Sequence, residues 1–202
     1  MTEIQKSLES YITAEMDNWD FSGVVRIIQN GNILFETCRG FSNIEFCIKN
    51  TMETKFTVAS VAKQFTAFAI MILHDKGLLQ LDEKANRYLP PNMQLPSEIT
   101  VHHLLSHTSG LHNNYNFEDD FYVGEDRKPY DREQFFRNWI IREPIKKPGK
   151  EFEYNNSNYN LLAWIIEYVS GQTYDEFLQE NIFYKIGMNN TAFDNGLNII
   201  SN

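Results

Sequence analysis

Phe56-Thr57-Val58-Ala59-Ser60-Val61-Ala62-Lys63-Gln64-Phe65-Thr66 is the stretch that decides how this chain folds and what it can do. A serine and a lysine stand three residues apart where a long apolar run begins. Positions three apart share one face of a helix, so hydroxyl and amine can touch. That arrangement suits a serine nucleophile whose proton is handled by a lysine. The competing structural role for Ser60 is a helix cap, since serine is a favoured cap. A capping box, however, places Glu or Gln three residues on. Here that position holds Lys63, and a cation in the first turn opposes the helix dipole by roughly 0.3–1 kcal/mol.

Outward from this stretch, the chain separates into a β-rich part and a helical part. Thr2 to Asp17 is predicted to be a helix with Ile4, Leu8, Tyr11 and Ile12 on one face. Phe21 to Gln29 and Ile33 to Cys38 are β-rich, and Asn30-Gly31 between them is a strong hairpin signal. Phe41 to Ile48 is expected to continue the sheet. Ser60 to Lys76 is apolar on nearly every side, the pattern of a helix buried all round, and Gly77 stops it. Thr100 is placed to cap a short helix through Leu105. Leu111 to Arg132 reads as a long loop, and Arg132 to Arg142 as a helix. Pro148-Gly149 makes a turn. Asn158 to Val169 and Tyr174 to Glu180 are further helices, the first stopped by Gly171. Strands followed by helices is an α+β order. Two or three strands make a thin antiparallel sheet with an open edge, which invites self-association.

The 202 residues suffice for one domain with a real core. Hydrophobic residues at 42% and charged residues at 22% indicate a globular rather than a disordered chain. The formal net charge of −9 argues against a nucleic-acid surface, which needs clustered Lys and Arg. The two cysteines, Cys38 and Cys47, form no C-x-x-C pair, and buried free thiols are favoured over a disulfide. His103 and His107 are four apart, but no glutamate follows His103 in the zinc-protease pattern, so a structural role is expected and no metal or cofactor is assigned. No window approaches the ~18 apolar residues of a membrane span. The N-terminus shows no signal peptide, leaving the cytoplasm as the default compartment.

A second constellation follows the Pro148-Gly149 turn. In Phe152-Glu153-Tyr154-Asn155-Asn156, a tyrosine and an asparagine two apart precede an apolar helix and can face one cleft. A phenol near a lysine loses its proton more readily, because the cation favours phenolate. The structural alternative is a core tyrosine beside a helix-capping asparagine.

Taken together, these motifs resemble the serine β-lactamase and penicillin-binding protein superfamily, and its class C branch in particular. Phe56 to Thr66 looks like the family's nucleophile helix. Leu81-Asp82 and Tyr88-Leu89-Pro90 are similar to the segment after it. Leu104-Leu105-Ser106-His107-Thr108-Ser109-Gly110-Leu111 matches a family loop. Tyr154-Asn155-Asn156 occupies the Tyr-x-Asn element, and Ile186-Gly187-Met188 with Thr191 resembles a late helix-end signature. The resemblance runs from about Phe21 to Phe193. It implies a β-lactamase/transpeptidase-like fold and an acyl-enzyme mechanism. Ser60 would attack the carbonyl of a β-lactam, a D-alanyl peptide or a small ester. Lys63 and Tyr154 would share the proton work, and Asn156 would bind the substrate's amide side chain. The Ser60 N–H would supply half of an oxyanion hole.

The family's third element, Lys-Thr-Gly or a His-x-Gly relative on a strand beyond the helical region, does not occur in these 202 residues. The chain thus reads as a single, incomplete β-lactamase-like domain, with a sheet part over 1–58 and a helical part over 59–202. Two functions compete: a serine hydrolase acting on a small molecule or a peptidoglycan-type peptide, and an inactive remnant or fragment serving as a binding module.

Overall fold

The computed structural model describes residues 2–96, 98–111, 133, 136, 140, 144 and 146–194. Its chain divides into two compact units, one ending at Thr57 and one beginning at Val58. The expected loop over 111–132 and helix over 132–142 lie largely outside the described residues.

The first unit opens with α1, Glu3–Asn18. Thr2 caps it, and Gln5 reaches back to the Thr2 N–H, so two orphan amides are satisfied reciprocally. Strands β1 (Gly23–Gln29) and β2 (Asn32–Arg39) pair antiparallel, from Gly23 opposite Arg39 to Gln29 opposite Asn32. Asn30 and Gly31 both take positive φ, 50° and 77°, as a two-residue hairpin turn of matching twist requires. The next two strands, β3 (Phe41–Asn43) and β4 (Ile48–Lys49), pair with each other and form a separate ladder instead of extending the hairpin. A two-stranded ladder cannot cover both of its faces, and Ile28, Ile33, Ile44 and Phe46 are exposed. Both cysteines are free. Cys38 is half-buried and Cys47 is exposed, which corrects the expectation of buried thiols; the sheet is too thin to enclose them.

The second unit holds the core. A 3₁₀ turn, Ala59–Ala62, runs into α2, Lys63–Asp75. Thr66, Ala69, Ile70 and Leu73 are buried, the i, i+3, i+4, i+7 stripe of one helix face. They pack with Val101 and Leu104 of α3 (Val101–Leu105), with Leu161, Leu162, Ile165 and Ile166 of α4 (Asn156–Ser170), and with Phe177 of α5 (Tyr174–Leu178). The expectation that α2 is buried all round is corrected. Phe68 is 54% exposed and Met71 38%, because α4 and α5 line one side of the helix only.

Local chemistry fixes the helix ends. Thr100 caps α3 through the His103 N–H. Asn155 caps α4 through the Ser157 N–H, and Gly171 ends it in the left-handed conformation that glycine adopts without a Cβ clash. Among the described residues, no helix is long and apolar enough to cross a membrane.

Candidate active site

Ser60 sits in the 3₁₀ turn and Lys63 is the first residue of α2, so less than one helical turn separates them. Ala59, immediately before Ser60, has a φ of 45°, a conformation that costs a non-glycine residue on the order of 1–3 kcal/mol and often marks a functional turn. Lys63 Nζ donates to Ser60 Oγ at 3.1 Å. It also donates to Asn156 Oδ1 at 2.8 Å, reaching the first turn of α4. Tyr154 comes from the irregular segment just before α4, and its OH lies 2.8 Å from Ser60 Oγ. The structure thus brings Ser60, Lys63, Tyr154 and Asn156 to one point, although 94 residues separate Ser60 from Tyr154.

The electrostatics around the phenol favour its ionised form. Burial pushes the Tyr154 phenol up, but hydrogen bonding from Lys63 and Ser60, together with the Lys63 charge, brings it below an ordinary tyrosine. The lysine cation also lies 5.0 Å from the Tyr154 ring centroid and 5.7 Å from that of Tyr159. Tyr159 itself titrates above the ordinary value, through its partial burial first and the Tyr154 charge second. In its ionised form the phenol oxygen stands in place to take the Ser60 Oγ proton, beside a cation that stabilises the charge.

The site is open. Ser60 is exposed and Tyr154 is 43% exposed, so this tyrosine is no core residue. The helix cap falls on Asn155, one residue before Asn156. Asn155 is 1% exposed, and its Nδ2 donates to the Leu111 carbonyl at 2.9 Å. Asn155 and His107 support the site in ways the sequence did not disclose. His107 is buried, with φ at 55°, and stacks on Tyr154. Its imidazole is held below the ordinary value by burial first and by the Lys63 charge second. His103 accepts the Thr100 N–H as part of the α3 cap. Among the described residues, no cluster of three His, Cys, Asp or Glu is placed to hold a metal ion.

A serine, a lysine and a tyrosine gathered at the head of α2, on an α+β frame, are the arrangement expected of a family of serine hydrolases. Residues 8–199 match the Beta-lactamase family model, and the chain belongs to that family. It is 32% identical over 197 residues to penicillin-binding protein 4* of Bacillus subtilis, covering 95% of this chain and 42% of that protein. Its structure resembles that of a penicillin-binding protein from Bacillus halodurans, with TM-score 0.76 and 33% identity, over 85% of this chain and 54% of the other. A class C β-lactamase solved with cefoxitin shares the fold at TM-score 0.76 and 21% identity, over 93% of this chain and 50% of the other. The chain therefore has the β-lactamase/transpeptidase-like fold, and it spans less than half the length of the curated relatives it matches.

Proposed function

We propose that this chain carries the nucleophile and base of an acyl-transferring serine hydrolase. The observation that carries this reading is the position of Ser60 Oγ, within hydrogen-bond reach of both Tyr154 OH (2.8 Å) and Lys63 Nζ (3.1 Å). In this reading the Tyr154 phenolate takes the Ser60 proton as Oγ bonds to the substrate carbonyl carbon. The same phenol then delivers the proton to the departing nitrogen or oxygen, leaving an acyl-enzyme on Ser60. Lys63 neutralises the phenolate. Water then loses a proton to the Tyr154 phenolate as it bonds to the acyl carbon, and the bond from that carbon to Ser60 Oγ breaks as Oγ takes the proton back from the phenol. Asn156 Oδ1 is taken by Lys63, which leaves its Nδ2 to donate to a substrate amide carbonyl. The substrate class is a β-lactam, a D-alanyl peptide or a small ester. Penicillin is the first probe, because the relatives at 32% and 33% identity are named penicillin-binding proteins.

The openness of the site favours a second reading, a chain that is acylated or binds without efficient turnover. Ser60 and Tyr154 face water, and oxyanion stabilisation is strongest where water is excluded. Nitrocefin turnover by these 202 residues is expected to fall far below that of a complete enzyme.

The test is fluorophosphonate and fluorescent-penicillin labelling of the folded chain beside Ser60→Ala and Lys63→Ala. Label on the parent chain that is lost in Ser60→Ala and strongly reduced in Lys63→Ala supports the hydrolase reading. Equal labelling of all three contradicts it.

A further inference from the structure

Tyr154 belongs to no helix or strand, yet its phenol meets Ser60 Oγ at 2.8 Å. One residue holds the backbone on both sides of it. The Glu153 N–H donates to the His107 carbonyl at 2.8 Å, and the Asn155 N–H donates to His107 Nδ1 at 3.1 Å. The His107 ring also lies against the Tyr154 ring, with centroids 4.7 Å apart and planes at 37°. Tyr159 packs on it at 5.0 Å and Phe152 meets it edge-on at 5.9 Å. The residue is 8% exposed.

From this bracket we propose that His107 is the positioning residue for the Tyr154 phenol, and that protonation of its Nδ1 displaces the phenol from Ser60. The second half rests on the role given to Tyr154 above. A ring nitrogen that accepts an N–H cannot also carry a proton, so the neutral ring holds its proton on Nε2. Adding a proton at Nδ1 turns the acceptor into a donor aimed at the Asn155 N–H. The groups facing the ring offer an imidazolium no counter-charge among the described residues. From α2 comes Lys63, a cation. From α4 come Tyr159 and Asn158, whose Nδ2 lies 3.4 Å from Nδ1. From the preceding segment come Tyr154, Phe152 and the Asn155 amide. The Glu153 carboxylate pairs with Lys146 at 3.0 Å. Burial and Lys63 accordingly delay protonation to below the ordinary 6.5, so the bracket is intact at neutral pH and opens on acidification.

The decisive comparison is His107→Asn against His107→Gly. Both tolerate the positive φ, but Asn keeps a non-titrating acceptor for the Asn155 N–H and Gly keeps none. Tyrosine labelled with ¹³C at Cζ reports the Tyr154 phenol without need of activity, its resonance assigned by its loss in Tyr154→Phe. In the parent chain the Tyr154 signal should move in one step below pH 6.5, in parallel with the His107 ring. His107→Asn should keep the neutral-pH signal and abolish the step. His107→Gly should shift the signal at neutral pH. Ser60 labelling by fluorescent penicillin should fall in both chains as the Tyr154 phenolate is protonated, and in the parent roughly tenfold or more beyond the fall in His107→Asn. A step in the Tyr154 signal below pH 6.5 that persists in His107→Asn overturns the proposal, as does an unchanged Tyr154 signal in folded His107→Gly. If His107→Gly fails to fold by circular dichroism, the parent and His107→Asn decide alone. Absence of Ser60 label at every pH would sink the hydrolase reading, while the Tyr154 resonance would still report on the bracket.

Discussion

Replacing Tyr154 with phenylalanine separates chemistry from packing. The ring is 43% exposed, so losing its hydroxyl leaves little buried polar surface unpaired. Stability should therefore change by less than about 1 kcal/mol. The reacting atoms fare differently. Ser60 Oγ keeps the Lys63 donor at 3.1 Å but loses its partner at 2.8 Å, the group that would accept its proton. A positioned general base contributes roughly 10²- to 10⁴-fold in rate, about 3 to 5 kcal/mol of barrier. Acylation of Ser60, followed by mass spectrometry over time with a fluorescent penicillin in excess, should slow by that factor, while the melting temperature holds. The pH profile gives a second signature. The phenol titrates below the ordinary 10.0, so parent acylation should rise with pH and level off before that value. Tyr154→Phe should lack that rise. Acylation within about threefold of the parent, at equal stability, would refute Tyr154 as the base.

Three further outcomes test the frame around the site. Asn155→Ala removes the α4 cap and strands the buried Leu111 carbonyl, and should cost about 2 to 4 kcal/mol in urea unfolding; a loss under about 0.5 kcal/mol would contradict the bonding described. Gly110→Ala should cost about 2 kcal/mol or more, because φ is +72° and the new Cβ would lie 2.1 Å from the Lys146 carbonyl oxygen; unchanged stability would refute that close approach. His103 and His107 both titrate below the ordinary 6.5, chiefly through burial, so the unfolded chain takes up these protons first. Their contribution to stability is complete above pH 6.5 and is lost as pH falls from there through their lower folded-state values. Urea midpoints of the parent and of a His103→Asn, His107→Asn double variant should converge on acidification, and parallel curves would contradict this.

Much of the local structure was legible because it is decided within a few residues. Asn30-Gly31 specified the hairpin, Thr100 the start of α3, and Gly171 the end of α4. Ser60 and Lys63 were legible as a pair for the same reason, since one turn of backbone brings them together. Tyr154 and Asn156 were legible as a pair facing one cleft, but their meeting with Ser60 and Lys63 was reached only through resemblance, because no local rule connects residues more than 90 positions apart. His107 stayed hidden within a familiar loop. Its function depends on a backbone amide, which every residue but proline has and which leaves no mark in the sequence. The burial of α2 was overread for a related reason. An apolar stretch records that a helix can be buried on every side, and the neighbours it meets leave Phe68 and Met71 in water.

The gathering of a hydroxyl, an amine and a phenol around Ser60 Oγ is the geometry on which the functional account rests. Intact-mass and peptide-mapping analysis of the chain after incubation with a penicillin tests it most directly. A single adduct on Ser60 is expected, absent in Ser60→Ala and greatly slowed in Tyr154→Phe. A folded chain that acquires no adduct, or acquires it at another residue, would contradict it.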